Sequence, residues 1–506
     1  MVLKEDKIGQ RLLIPIDLTD MIPENHVCFF VENIIKQIDF KKWDEKYKYN
    51  AGNKAFPRAV LCRIVIMAFL DGITSSRKIS RLAEESIPYI YLAGGETPKY
   101  RVIEYFKTEN EEFVEEILAL TVAVARESGL ATLNTIAIDG TTIKANATSN
   151  SSIQEEDIRR AYEYLQESKK VDQEENEKYG EKRGDEVPKE LTTAKKVKKL
   201  INQLKNDEII DEIEFTENDE EKIEKVIEEM DNIHEKQKER DKDPELSKLS
   251  LTDPEARWMK NKKGNKELSY NVQTITDCDS GIIIKTNVTQ DPTDHYQLPI
   301  QLDELKQEYG TLFDDSQILA DTIYNTSESM EYVYENEWDA FIPSRSQATK
   351  AKKHNLKKFA KANFIFDYEK NHYICPNNQI LHHQNTYCKN NKFKKVYYSN
   401  SCDICPFKDE CSPNSNWRII TDYSTDFQLL MSQKMEQEQS KEIYKKRIVA
   451  ERPFAHIKKN LKYTETNLRG TDKIQNEMNL IATANNIRLI YNHLNKKTKQ
   501  QTQKNT

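Results

Sequence analysis

Three acids in this chain of 506 residues stand where a metal-dependent phosphodiester chemistry would need them. Asp139 ends an apolar run, Thr135 to Ile138, that reads as a strand; Asp321 closes a later one, Gln317 to Asp321; Glu451 lies on a helical stretch, Met435 to Asn460. Hard carboxylate oxygens hold pairs of Mg²⁺ or Mn²⁺ ions about 3.5 to 4 Å apart, one activating the attacking oxygen and the other stabilising the leaving oxygen. Tyr444, Arg447, Glu451 and Lys458 recur at i, i+3, i+7 and i+14, so a helix turning about 100° per residue sets them in one stripe. Arg447 can clamp a phosphate bidentately, Lys458 can supply a point charge, and Tyr444 can hydrogen-bond a phosphate oxygen or position a nucleophile. Pro453 lies inside the stretch and predicts a kink, beyond which Lys458 stays in the stripe only where helical phase is kept. Any one of these acids reads equally well as an ordinary strand-end or surface carboxylate. The three together with the stripe favour a site.

The elements that must position them follow from periodicity. Residues 1–130 read as an all-α domain: Pro57 opens an apolar run to Leu70, Gly72 stops it, Ser75 or Ser76 caps the next helix, and Glu111 to Ser128 is amphipathic. After Gly129 come strands at Thr135 to Ala145, Tyr270 to Thr276 and Gly281 to Val288. A helix follows from Asp294 to Tyr309, a strand to Asp321, a helix at Ser327 to Glu335, and a strand at Ala340 to Pro343. With Met435 to Asn460 as the last helix, the order β-β-β-α-β-α-β-α predicts an α/β, ribonuclease-H-like mixed-sheet core built from residues 131–150, 251–345 and 425–495. Two insertions interrupt it: 151–250, charged and helical with a turn or disordered tip near Glu181 to Pro188, and 346–424, basic and cysteine-rich. Residues 496–506 are polar and predict a disordered tail.

The formal net charge of −8 argues at first against a nucleic-acid partner. Counted by segment, residues 151–250 carry about −11, whereas Phe341 to Asn400 carries about +10 and Met435 to Thr506 about +8. The whole-chain value therefore averages an acidic insertion with basic parts. No run of about 18 apolar residues predicts a membrane span and no signal-peptide core opens the chain, so a cytoplasmic protein is expected. Arg77, Lys78, Lys99 and Arg101 stand at helix starts and turns of the N-terminal domain, where they can meet phosphates or base edges, or simply be scattered surface charge.

Of eight cysteines, five fall between Cys375 and Cys411. Cys402 and Cys405, closed by Cys411 and joined by Cys375, make a candidate four-thiolate structural Zn²⁺ site, with Cys388, His382 and His383 as spare ligands; unmetallated thiols are the alternative. Around it Lys394, Lys395, Phe393, Tyr397 and Tyr398 suit phosphate contact with stacking on distorted DNA ends, or equally an edge strand.

The spacing Tyr444, Arg447, Glu451, Lys458 resembles the Y-(2)-R-(3)-E-(6)-K signature of bacterial insertion-sequence DDE transposases. The stretches Ala137 to Ala145, Asp253 to Met259, Tyr270 to Thr274, Asp291 to His295 and Leu319 to Tyr324 resemble the same group, and the N-terminal domain resembles the DNA-binding region that precedes the catalytic core. The likeness runs from about Leu13 to Gly470. It implies Asp139, Asp321 and Glu451 as ligands of magnesium or manganese, cutting at the ends of a mobile element, and joining of the freed 3′-hydroxyl to target DNA. It further implies a homodimer assembled on paired ends of double-stranded DNA and a nucleoid-associated place in the cytoplasm. Two rivals remain: a transposase-derived DNA-binding protein without cleavage activity, and a metal-dependent nuclease on the same core.

Overall fold

The apolar stretch after Gly129 extends into a long strand, β1 (Thr135–Lys144), which lies at the centre of a six-stranded mixed sheet. The computed structural model describes residues 17–45, 55–109, 111–166, 192–206, 215–240, 248–261, 263–352, 356–389 and 392–504. The other strands of the sheet are β2 (Arg257–Lys260), β3 (Lys266–Asp277), β4 (Ile283–Thr289), β5 (Gln317–Ala320) and β6 (Asp339–Phe341). β3 runs antiparallel to β1, and its far edge is shared by β2 and β4. On the other side β1, β5 and β6 are parallel, so helices must cross between them. Gln297–Tyr309 precedes β5 and Ser327–Glu335 precedes β6, both close to the expected positions.

The chain divides into two compact units, Met1–Leu130 with His456–Tyr463 and Asn476–Thr506, and Ala131–Ala455 with Thr464–Gln475. In the first, Arg58–Leu70 is buried on nearly every side, which makes it the central helix, and Gly72 at φ +75° ends it as expected. Ser76–Glu85, Tyr100–Glu109 and Glu111–Glu127 follow. The C-terminal segment departs from expectation twice. Of the stretch expected in the core, His456–Tyr463 and the residues from Asn476 on group with the N-terminal helices rather than with the sheet, and residues 496–504, expected as a disordered tail, continue the helix Thr471–Lys504. The apolar side chains Ile474, Met478, Ile481, Ile487 and Ile490 are buried along that helix, and its tertiary packing carries the polar end further than composition suggests.

The expected last helix, Met435 to Asn460, is also corrected. It is a broken series: Asp426–Glu436, Glu438–Lys445, a 3-10 segment Lys446–Ala450, a short helix Glu451–Ala455 and a π-helical turn His456–Asn460. Pro453, with no N–H to donate and a ring that crowds the preceding turn, sits where the regular ladder fails.

Each insertion has a core of its own. Residues 151–250 leave and return through the antiparallel pair Ser152–Gln154 and Lys248–Ser250. The helical residues 155–166 and the helices Thr193–Asn206 and Glu217–Glu239 enclose Ile158, Val197, Leu200, Ile223, Val226 and Met230. The expected tip at 181–188 lies outside the described residues. Arg240, just past the last helix, grips Asp291 of the sheet unit bidentately at 3.0 and 2.8 Å. Residues 346–424 form a five-stranded antiparallel sheet, so Lys392–Tyr398, weighed as an edge strand, is instead paired on both sides. Among the described residues no helix is long and apolar enough to cross a membrane.

Two stability predictions follow from buried charge. Lys107 and Glu477, both buried, pair at 2.6 Å, and Tyr463 donates to Glu477 at 2.5 Å. Lys107→Met strands the carboxylate and should cost about 3–5 kcal/mol, read as a lowered urea midpoint; an unchanged midpoint would show that the pair contributes little. In the acidic insertion, burial raises the Asp219 carboxyl, but hydrogen bonds from Lys196, Thr193 and Thr216 outweigh it and hold the group at about 2. Its unfolded value is about 3.9, so the stabilisation it gives is complete above pH ~4 and fades as pH falls toward 2. Wild type should therefore lose stability against Asp219→Asn across that window, and parallel pH profiles of the two proteins would refute it.

Candidate active site

The β1–β5 pairing runs Thr135↔Gln317 to Ile138↔Ala320, and Asp139 and Asp321 are the next residue along each chain segment. Adjacent parallel strands lie about 4.8 Å apart, so Asp321, just past the end of β5, lies beside Asp139, which is inside β1 and paired with Thr274 of β3. Asp321 also caps the 3-10 turn Thr322–Tyr324, accepting from the Thr322 backbone N–H. Glu451 arrives from the broken helical series, whose 3-10 segment packs against β1 and β3 through buried Val449 and Ala450.

Arg447 reaches all three acids. Its guanidinium lies 3.5 Å from Asp139 Oδ1, 3.8 Å from Asp321 Oδ2 and 3.2 Å from Glu451 Oε1. The sequence places Arg447 on the face of Glu451 as a phosphate clamp; here it also neutralises the acids. Burial pushes the Asp139 carboxyl up to about 6, Arg447 opposes that rise, and Asp321 and Glu451 reinforce it. Like charges that crowd one place disfavour ionisation unless a cation compensates, and one arginine cannot balance three carboxylates. Tyr444 is half-buried beside Arg447, and burial raises its phenol to about 12.

The donor set is all hard oxygen, which suits Mg²⁺ or Mn²⁺. With Arg447 between them the acids are not yet a closed ligand set: among the described residues no three His, Cys, Asp or Glu side chains are gathered closely enough to hold a metal ion as they stand. Lys458 does not share a continuous α-helix with Glu451. It lies on the π-helical turn, whose different pitch ends the phase that would have kept it in the stripe, and in the other compact unit.

The remaining expected residues fall in two places. Arg77, Lys78, Lys99 and Arg101 are all exposed at the starts of Ser76–Glu85 and Tyr100–Glu109. The Arg77 guanidinium lies 5.1 Å from the Tyr100 ring centre, Arg101 Nε donates to the Tyr100 hydroxyl at 3.4 Å, and Lys99 pairs with Glu84 at 2.9 Å. In the small lobe, Cys375, Cys402, Cys405 and Cys411 line one cavity with Phe359, Phe364 and Leu381. The N–H groups of Asn377 and Gln379 both donate to Cys375 Sγ at 3.3 Å. The spare candidates Cys388, His382 and His383 are exposed on Ile380–Lys389 instead. Lys394 and Lys395 are half-buried on the adjoining strand, Lys395 pairing with Asp426 at 3.2 Å, while Phe393 and Tyr387 are exposed beside them.

One group beside the acids escaped sequence reasoning: Asn271, Gln273, Asp294 and Tyr324. The signal available was polar residues at period two in a strand otherwise read as apolar.

A family model described as a transposase DDE domain matches residues 374–491, which include Tyr444, Arg447, Glu451 and Lys458. A second, described as a transposase domain (DUF772), matches residues 16–109, which include Arg77, Lys78, Lys99 and Arg101. No curated protein matches the chain. Two separate stretches of this chain thus match transposase domain families, and together they support a transposase.

Proposed function

We propose that this protein is a DDE-type DNA transposase of an insertion sequence, with a ribonuclease-H-like core, acting on double-stranded DNA at terminal inverted repeats. The observation that carries the reading is the convergence of Asp139, Asp321 and Glu451, separated by more than half the chain, on the one guanidinium of Arg447. Asp139, Asp321 and Glu451 would hold magnesium or manganese, which when bound supplies a Lewis acid for the scissile phosphate and an activated oxygen nucleophile. Arg447, drawn away from the acids as a metal neutralises them, is long enough to pair with a phosphate oxygen bidentately. Tyr444, protonated at neutral pH as any phenol is, can hydrogen-bond a non-bridging oxygen. Lys458 would meet the backbone of the same DNA as a point charge.

End recognition is assigned to the N-terminal unit. Arg77 and Arg101 are exposed cations beside exposed Tyr100, with Lys78 exposed on the same helix as Arg77, a composition suited to phosphate contact and sugar or base stacking. Lys394 and Lys395, with exposed Phe393 and Tyr387, would meet the DNA near the cut. A homodimer on paired ends follows from the need to bring two ends to one target.

Asp139→Asn, Asp321→Asn and Glu451→Gln should each reduce Mg²⁺-dependent cleavage of a duplex carrying the element end to background while leaving its binding in a gel-shift assay within about twofold, because only the metal ligand is lost. Loss of end binding in all three would indicate a folding role. Cleavage that survives in all three would leave the DNA-binding rival or a contaminating nuclease.

The thiol cavity supports a structural zinc. The lobe's apolar core is small, Phe364, Tyr373, Leu381, Tyr397 and Ile420, and the cysteines flank it where a cross-link would help most. Zinc would have to draw the four sulfurs inward. Reduced, freshly purified protein should contain about one zinc per chain, and Cys405→Ser should lose it and sensitise the lobe to protease. Zinc-free protein with an intact lobe would remove the proposal.

A further inference from the structure

Strand β3 is buried along its whole length from Ser269 to Asp277, yet it carries Asn271 and Gln273 at alternate positions, hence on one face. Buried side-chain amides are costly unless fully hydrogen-bonded, and Gln273, with no exposed surface, has every polar atom engaged. Its Oε1 accepts from the Tyr324 hydroxyl at 2.5 Å, and its Nε2 donates to Asp294 Oδ1 at 2.6 Å and to Asn271 Oδ1 at 3.0 Å. Asn271 Nδ2 also donates to Asp294 Oδ1, at 2.7 Å. The amide therefore has one workable orientation, since the Asp294 carboxylate, which only accepts, must face its N–H₂, and this leaves its carbonyl oxygen to accept from the phenol.

These partners stand on the segments that bear the acids. Tyr324, fully buried, is the last residue of the turn capped by Asp321. Gln273 is paired in register with Gly140, the residue after Asp139. A Cβ at position 140 would lie 2.4 Å from Gln273 Nε2 and 2.6 Å from Asp294 Oδ1, closer than any side chain tolerates, so glycine there is what admits the pair. Gln273 thus joins the strand beside Asp139, the turn behind Asp321 and the start of the helical segment at Asp294.

We propose that Gln273, oriented by Asp294 and Tyr324, is a positioning residue that fixes the Asp139 and Asp321 carboxylates relative to each other and thereby sets how tightly they take a divalent cation. The proposal rests on the reading of Asp139, Asp321 and Glu451 as metal ligands. Outer partners of this kind typically alter metal affinity by about 10–100-fold when removed.

The test is Mn²⁺ binding to the full chain without DNA, followed by calorimetry, with circular dichroism as the check on folding. Gln273→Glu sets a second carboxylate against Asp294 and should raise the Mn²⁺ half-saturation concentration by at least about tenfold. Adding Asp294→Asn restores one carboxyl group facing one amide and should recover most of that loss, which a general loosening of the core would not do. If Gln273→Glu does not fold, Tyr324→Phe, which keeps the ring and removes only the hydroxyl donor, should weaken Mn²⁺ binding in the same direction. Asp139→Asn is the control that separates the two levels. Should it weaken Mn²⁺ while the folded Gln273 or Tyr324 variants bind as wild type, or should the double variant fail to recover, the positioning role is overturned. Should Asp139→Asn leave Mn²⁺ binding untouched, the metal-ligand reading fails and the proposal falls with it.

Discussion

Three carboxylates held near one another at the end of a sheet repel, and the position of Arg447 answers that repulsion. The guanidinium lies within 4 Å of all three acids, and it opposes the upward push that burial, with Asp321 and Glu451 behind it, puts on Asp139. Much of the second unit serves this meeting. The parallel register of β1 and β5 brings Asp139 and Asp321 to neighbouring positions, and the 3-10 segment Lys446–Ala450 carries the arginine back over the sheet. A cluster of negative charge around a single arginine is a natural place for a divalent ion, since the ion brings a compact double charge where the guanidinium brings a diffuse single one.

Asp321 was legible because the sheet rule is local, an apolar run ending in Asp placing that side chain at the strand end; Asp139 closes the apolar part of β1, but the strand runs on to Lys144. Glu451 and Arg447 were legible for a different reason, since four residues of helical spacing bring side chains together even where the helix tightens to 3-10. Lys458 was not, because eleven residues of unbroken phase were required from Arg447 and the chain changes pitch after Ala455. Gln273 and Asp294 were quoted within family-like stretches but had no role, because a buried amide is explained only by partners 21 and 51 residues away in sequence. The helical end at 496–504 and the five-stranded sheet of the cysteine lobe were hidden for a like reason: tertiary packing overrides composition.

Both insertions leave the core sheet without disturbing it, since each closes on its own strands and buries its own apolar side chains. They differ in charge. The acidic one is unsuited to lie on phosphates, and its bidentate Arg240–Asp291 clasp ties it to its own unit close to Asn271 and Asp294. The basic lobe presents lysines and exposed aromatics on a sheet rather than on a loose loop. Such an arrangement keeps the acidic surface and the basic surface on separate insertions.

The most direct measurement is the anomalous scattering of Mn²⁺ in crystals of the full chain. Manganese density among Asp139, Asp321 and Glu451, within about 2.0–2.6 Å of their oxygens and with the Arg447 side chain turned away, is the expected result. Manganese bound elsewhere, with Arg447 still bridging the three acids at saturating metal, would contradict the assignment of these residues as a metal site.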